Sequence, residues 1–239
     1  EHVARSTVRR LGRGPACLPD GGDRIQEHID LSMPLDEAMS TQRAIRRLKT
    51  DPVEDALVLR LIELALKAPT GSNAQSWEFI IVRDPAIKRA IGRLNRSIFS
   101  LYSRVARRVV KTDSKSQRSL DAVQWQADHF EEIPVIVVAC QRGRYVPFVH
   151  ILAATYFGSI FPAIQNLLLA ARAANLGAAL TTFPLWNMIA LRRILGLPWN
   201  VTPCAVIPLG WPLGRYGPTT RRPVEEVVSY DRFGSRRDE

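Results

Sequence analysis

A long apolar segment from Ala154 to Asn175 restricts the fold of this chain more than any other feature. Alanine, leucine and isoleucine occupy most of its circumference at helical spacing, which predicts a helix packed inside the protein rather than along its surface. Pro162 and Arg172 interrupt the segment, and a helix spanning a bilayer would have to bury them in lipid. We therefore expect a core helix that stops at Gly177, and no membrane partner.

Short apolar runs predict the strands that pack on this helix. Val135–Cys140 is rich in valine and indicates a central strand, and Phe79–Val82 indicates a second buried strand. Shorter strands are expected at Ala178–Thr182 and Ala205–Ile207, and helices at Pro34–Arg47, Val53–Ala68, from Asp84-Pro85 onward, Leu120–Glu131 and Asn187–Leu195. Gly210–Arg222 is rich in glycine, proline and threonine and predicts an extended arm. Interleaved helices and short strands are typical of an α+β layered fold.

Length and composition indicate one globular domain. The chain has 239 residues, of which 46% are hydrophobic. Residues 1–32 show no periodicity, so we expect a disordered tail there and one domain over residues 33–239. Three widely separated cysteines, with no CxxC pair, argue against zinc and disulfides and fit a reducing cytoplasm. Two of them, Cys140 and Cys204, end apolar runs and are expected to be buried thiols.

The charge of the chain is strongly positive and unevenly distributed. The formal net charge is +10, and residues 89–118 carry nine basic side chains against Asp113 alone. An acidic ligand, a nucleic acid or an anionic surface would each be attracted to such a chain. The same stretch contains Phe99 and Tyr102 as its aromatic residues and no known nucleic-acid motif, so we expect no nucleic-acid partner.

Residues 66–82 run from a helix end through a small polar turn into a strand, about twenty residues after an arginine-rich segment. Side chains that can hydrogen-bond a heteroaromatic ring edge or a polyol follow one another in the turn: Thr70, Ser72, Asn73 and Gln75. Arginines that offer fixed positive charge to a phosphate precede them: Arg43, Arg46 and Arg47. Each feature alone has a simpler interpretation. The arginines could be a solvated helix end, and the polar residues could be an ordinary turn.

Four ordered motifs resemble the FMN-dependent nitroreductase family. They are Arg43-Ala44-Ile45-Arg46, the turn from Ala68 to Trp77, the helix and turn from Phe161 to Ala178, and Ile207–Pro212 followed by Arg221–Val227. Two departures stand out within them. Ala44 replaces the usual serine, which removes one hydroxyl from the phosphate site, and Ser76 replaces the proline before Trp77.

The resemblance implies a nitroreductase-like layered fold with a central mixed sheet flanked by helices, and a homodimer with FMN between the subunits. Arg43, Arg46 and Arg221 would bind the phosphate, while Leu180, Thr181 and Thr182 would lie against the flavin ring. The full expected cofactor site is Arg43, Ala44, Arg46, Arg47, Pro69, Thr70, Ser72, Asn73, Gln75, Leu180, Thr181, Thr182 and Arg221. No catalytic side chain and no metal are expected, because flavin carries the chemistry.

The resemblance further implies an oxidoreductase that transfers hydride from NAD(P)H to a small electron-poor acceptor, such as a nitroaromatic or a quinone. Some relatives keep the flavin site but catalyse another reaction: dehalogenation, desaturation or fragmentation of the flavin. Such a reaction remains open for this chain. A variable basic insert at about residues 97–119 would decide between them. Two alternatives remain at this point: a flavin-binding protein without turnover, and a nucleic-acid-binding protein that uses the insert.

Overall fold

The computed structural model describes residues 31–109, 114–143 and 150–236; the expected tail, apart from residues 31 and 32, lies outside them. Its α-helices are α1 (Leu35–Thr41), α2 (Asp55–Ala65), α3 (Pro85–Val109), α4 (Ser114–Asp128), α5 (His150–Ala173) and α6 (Met188–Leu195). Its strands are β1 (Trp77–Val82), β2 (Val135–Arg142), β3 (Gly177–Ala178) and β4 (Val201–Gly210). The expected insert falls on the end of α3 and the start of α4, with residues 110–113 outside the description.

The strands form one sheet in the order β1-β2-β4-β3. Every pairing among the described strands is antiparallel, so the α+β class is confirmed but the expectation of a mixed sheet is wrong. The cause is the path of the chain between neighbouring strands. After β1, for example, α3 and α4 together return the chain to the end of the sheet at which β1 finished, and β2 then runs back beside it.

The central strand β2 is buried on both faces, which explains its uninterrupted apolar sequence. Val135, Val137 and Ala139 face a core shared with α2 and α5. Their neighbours Ile136 and Val138 face a second core shared with α3 and α6. Successive side chains of a strand point to opposite faces, so β2 separates a layer of α2 and α5 from a layer of α3 and α6.

Helix α3 begins where its sequence predicts. The side chain of Asp84 accepts hydrogen bonds from the backbone N–H groups of Ala86, at 2.8 Å, and Ile87, at 2.9 Å, and Pro85 occupies the first helical position. Among the described residues no helix combines the length and apolarity needed to cross a bilayer.

The first helix is shorter than expected. It ends at Thr41 instead of Arg47, because the following residues pair with other parts of the chain. The Ile45 N–H donates to the carbonyl of Ala178 at 2.9 Å, and Leu48 forms an antiparallel bridge with Pro212. Tertiary pairing therefore overrides helical periodicity here, and the arginines lie on an extended segment rather than on a helix.

The long helix α5 ends at Ala173, and Asn175 rather than Gly177 takes the left-handed position that stops it. Asn175 adopts a left-handed conformation with φ of 57°. The Leu176 N–H donates to the Ala171 carbonyl at 2.8 Å and the Asn175 N–H to the Arg172 carbonyl at 3.0 Å, the bonding pattern of a Schellman motif. Gly177 instead begins β3, where a close approach of neighbouring groups requires it.

A Gly177→Ala substitution should lower the free energy of unfolding by about 1–3 kcal/mol. An added Cβ would lie 2.5 Å from Leu48 Cδ2 and 2.9 Å from Ile45 Cγ2, so the extended segment would have to shift. Urea denaturation measures the change. The matched control is Gly214→Ala, whose Cβ would meet no atom within 4 Å; equal stability of the two variants would contradict the packing described here.

Candidate functional site

A cavity of about 340 Å³ lies between the extended segment after α1 and the C-terminal arm. We call it the arginine cavity. Its lining includes Arg43, Ala44, Arg46, Thr219, Thr220 and Arg221. The structure thus brings together four of the expected cofactor residues, although Arg221 is far from the other three in sequence. Arg47 does not line the cavity and its side chain is exposed.

Backbone hydrogen bonds hold the arm against the segment that carries the arginines. The Lys49 N–H donates to the Trp211 carbonyl at 2.7 Å, and the Leu213 N–H donates to the Arg47 carbonyl at 3.0 Å. Further along, the N–H and the hydroxyl of Thr219 both donate to the Ser40 carbonyl, at 2.9 and 3.0 Å. The arm is therefore fixed at two places before Arg221, the nearer of which, Thr219, lies two residues away from it.

Arg172, near the end of α5, connects the end of α1 with the C-terminal arm beside the arginine cavity. Its Nε donates to Thr41 Oγ1 at 2.8 Å and its Nη1 to Asn175 Oδ1 at 3.1 Å, and the guanidinium lies 4.2 Å from the ring centroid of Tyr216. The Tyr216 hydroxyl donates to the Leu176 carbonyl. Sequence reasoning missed this role; the signal was a charged residue inside the most apolar helix of the chain.

The arginine cavity is electropositive and its charges are not neutralised by the protein. Arg43, Arg46 and Arg221 form no ion pair within the described part of the chain. Burial lowers the pKa of the half-buried Arg46 guanidinium from its ordinary value, because desolvation disfavours the charged form. An anion in the cavity would compensate that desolvation, and the fork geometry of arginine suits a phosphate.

The edge of the sheet next to this segment presents backbone donors. Thr181 exchanges two hydrogen bonds with Val206, at 2.9 and 3.0 Å, so its own N–H is not available to a ligand. The N–H groups of Leu180 and Thr182 point away from β4, and within the described residues they have no protein acceptor. Of the three expected ring-contacting residues, two therefore offer a backbone donor and Thr181 does not.

The polar turn has a strained backbone. Ser72, Asn73 and Gln75 all have positive φ, between 47° and 52°, which is uncommon for residues other than glycine. The Gln75 side chain donates to Asn73 Oδ1 at 3.1 Å, and the Gln75 N–H donates to Thr70 Oγ1 at 3.3 Å. With Pro69, these side chains form a largely exposed, preformed polar surface.

The polar turn and the arginine cavity lie at different levels of α5 in one chain. The turn rests on Ser159, whose hydroxyl accepts from the Gly71 N–H at 3.4 Å. The cavity adjoins Thr41, the partner of Arg172. Thirteen residues separate Ser159 from Arg172, or about 20 Å along a helix. One chain therefore presents the expected site residues as two separate groups.

Residues 39–211, which are most of the chain, match the nitroreductase family. This chain belongs to the nitroreductase family. It is 30% identical over 190 residues to a protein of Thermus thermophilus named NADH dehydrogenase, a match that covers 78% of this chain and 91% of that protein. It is 28% identical over 179 residues to iodotyrosine deiodinase 1 of Rattus norvegicus, covering 74% of this chain and 61% of the deiodinase.

A solved structure confirms the nitroreductase-like fold. Iodotyrosine deiodinase bound to FMN and 3-iodo-L-tyrosine superimposes with a TM-score of 0.65 at 20% identity, over 84% of this chain and 100% of that one. This degree of identity supports the fold and not the ligands. In this nitroreductase family member, Trp77 and Trp211 are core anchors, since both rings pack on the core and their indole N–H groups donate to Ser159 and Pro52 carbonyls at 3.1 Å.

The two described cysteines are structural. Both Cys140 and Cys204 are free and buried, as expected from the sequence. Burial raises the pKa of each thiol to about 12, so the reactive thiolate is scarce at neutral pH. A catalytic thiol is not part of the arrangement that the described residues form.

Proposed function

We propose that the protein is an FMN-dependent oxidoreductase that transfers hydride from NAD(P)H to a small electron-poor acceptor such as a nitroaromatic or a quinone. The observation that carries the proposal is the arginine cavity beside a sheet edge with open N–H groups. Membership of the nitroreductase family supports an oxidoreductase as the class of enzyme. Two free buried thiols, Cys140 and Cys204, suit the reducing cytoplasm in which we expect it to act.

The donor set fits FMN. Arg43, Arg46 and Arg221 would hold the phosphate, with Thr220 supplying a hydroxyl group in place of the one that Ala44 lacks, since the Thr219 hydroxyl already donates to Ser40. The open N–H groups of Leu180 and Thr182 would stabilise negative charge on the ring, as an oxyanion hole does. Flavin, when bound, would supply the storage of two electrons between donor and acceptor.

The proposed reaction balances without a catalytic side chain. NAD(P)H loses a hydride and becomes NAD(P)+. A nitro acceptor gains those two electrons, the proton of the hydride and one further proton from solvent, and yields a nitroso group and water. The task of the protein is to position the two substrates in turn and to stabilise charge.

We expect the protein to act as a homodimer. Exposed residues of α5 recur at helical spacing along one face: Ala154, Gly158, Phe161 and Gln165. On α1, which packs against α5, Leu35 and Met39 are also exposed. A two-fold axis along this face would bring the polar turn of one subunit towards the arginine cavity of the other and join the two groups that lie about 20 Å apart in one chain.

The basic stretch at residues 89–118 supports nucleic-acid binding less than its positive charge suggests. Part of this charge holds the fold together, because Arg96 donates to the carbonyls of Ala127 and Asp128, at 3.2 and 2.7 Å. The proposal therefore keeps a small-molecule acceptor, with no nucleic acid among the partners.

Arg46→Gln and Arg221→Gln should each weaken FMN binding about 10- to 100-fold, because each removes a charge-assisted hydrogen bond to the phosphate. Quenching of FMN fluorescence during titration of the apoprotein gives the Kd. Riboflavin, which lacks the phosphate, is the internal comparison, and its Kd should hardly change. Arg193→Gln, an exposed arginine on α6, is the matched control. Equal losses for FMN and riboflavin would contradict the phosphate assignment.

Phe161→Glu should separate the subunits and abolish tight FMN binding, since it places a charge in the apolar face of α5. Phe161 is 41% exposed in the single chain. Sedimentation velocity reports the mass, and the fluorescence titration reports binding in the same sample. Ile189→Glu, 54% exposed on the opposite layer, should leave both unchanged. A wild-type monomer that retains FMN would refute the shared site.

A further inference from the structure

Four aromatic side chains form a cluster beside the edge of the sheet at Thr182, and we call it the aromatic cluster. Its members are Phe99, Tyr102, Phe183 and Trp186. Phe183 joins them, with ring centroids 5.5 Å from Phe99, 5.3 Å from Tyr102 and 6.5 Å from Trp186. Phe183 follows Thr182 without an intervening residue, so the cluster begins where the open N–H groups end.

The cluster combines a buried base with an exposed aromatic surface. Phe99 is 2% exposed and fixes the position of the others. Tyr102 is 39% exposed and Trp186 is 59% exposed, and their rings meet edge to face at 84° with centroids 6.5 Å apart. Exposed aromatic faces held by a buried neighbour offer a rigid surface on which a flat, apolar ligand can stack.

The segments that carry the cluster contain no acidic residue. Not one Asp or Glu occurs between Ile133 and Val224, a range that includes β2, α5, β3, α6, β4 and most of the arm. Residues 42–50, residues 68–77 and the whole of α3 are also free of acids. The acids of neighbouring elements lie on α1, as Asp36 and Glu37, and on α4, as Asp121 and Asp128. Every titratable group that the acid-free segments bring to the site is therefore a base or a neutral group.

This distribution of charge restricts the ligand. An ammonium group leaving water needs a carboxylate partner, and without one its desolvation is not offset. A carboxylate, a phenolate or a neutral ring meets no such penalty here, and the positive field favours the anions. A zwitterionic amino acid would leave its ammonium group without a partner.

We infer that the aromatic cluster is the acceptor-binding surface, and that the acceptor is a neutral or anionic aromatic compound rather than a cationic compound or a free amino acid. Tyr102 and Trp186 stack on the acceptor ring beside the sheet edge. The inference rests on the proposed function, because the acceptor must lie next to bound FMN. It distinguishes this chain from its deiodinase relative, whose structure holds 3-iodo-L-tyrosine.

A matched series of nitroaromatic acceptors tests the charge preference. The compounds are 4-nitrobenzyl alcohol, 4-nitrophenylacetate, 4-nitrobenzylamine and 4-nitrophenylalanine, in which a methylene separates the ring from the varied group. The FMN-loaded protein should reduce the neutral and anionic members with kcat/KM at least 10-fold above the cationic and zwitterionic members. Equal values, or a preference for the amine, would overturn the inference. A binding readout uses phenylacetate and benzylamine, which are not reduced, and follows the flavin absorbance; phenylacetate should bind more tightly.

Variants of the cluster test its location. Tyr102→Ala and Trp186→Ala should each raise the KM for 4-nitrobenzyl alcohol about 3- to 10-fold, because each removes one stacking partner. The Kd for FMN should not change. Trp199→Ala is the matched control, since this tryptophan is 82% exposed and outside the cluster. An unchanged KM in both cluster variants would overturn the location.

The outcomes separate the two proposals. If the protein binds FMN and NAD(P)H reduces it, but the acceptors show no order by charge, the inference fails and the proposed function stands. If the wild-type protein binds no FMN, both fail together.

Discussion

The buried guanidinium of Arg172 is the interaction on which the candidate site depends. It is 7% exposed and lies where the end of α1, the end of α5 and the C-terminal arm meet. Thr41 and Asn175 accept hydrogen bonds from the guanidinium, the ring of Tyr216 lies against its face, and a carboxylate oxygen of Glu37 lies 3.6 Å away. An unpaired charge at this position would be costly, so the chain is held in the one arrangement that satisfies it. That arrangement supports the walls of the arginine cavity.

The charge pattern of the site follows one rule. The residues that line the arginine cavity and those that form the aromatic cluster include bases and no acids, and within the described residues no carboxylate pairs with Arg43, Arg46 or Arg221. Charges that have no partner in the protein attract anionic ligands, but they also repel one another and so destabilise the folded chain. The same field suits a phosphorylated cofactor, a nicotinamide dinucleotide and an anionic acceptor. Binding and selectivity thus have a common electrostatic origin.

The segments of the site could be predicted from sequence because each has a strong local signal. The turn before Trp77, the start of α3 at Asp84 and the valine-rich β2 are short patterns with a direct physical cause. The end of α1 could not be found in this way. Its residues have helical periodicity, but hydrogen bonds with Ala178, Trp211 and Leu213, which are more than 130 residues away, remove them from the helix.

Long-range contacts explain what else was missed. The stop of α5 was placed at a glycine, whereas Asn175 takes the left-handed position and Gly177 is required by its neighbours in β3. The aromatic cluster joins residues about eighty positions apart, and no periodicity links Tyr102 to Trp186. Thr181 looked like its neighbours in sequence, but the sheet uses its N–H and leaves theirs open. In each case the deciding partner lies on another element.

The visible absorbance spectrum of the FMN-loaded protein, recorded without oxygen before and after addition of NADPH or NADH, tests whether the protein transfers hydride through a bound flavin. We expect flavin bands that bleach with one of the two donors and return when a nitroaromatic is added. Bands that persist with both donors would contradict hydride transfer and favour a protein that binds flavin without turnover. A protein that shows no flavin bands after incubation with FMN would contradict the site itself.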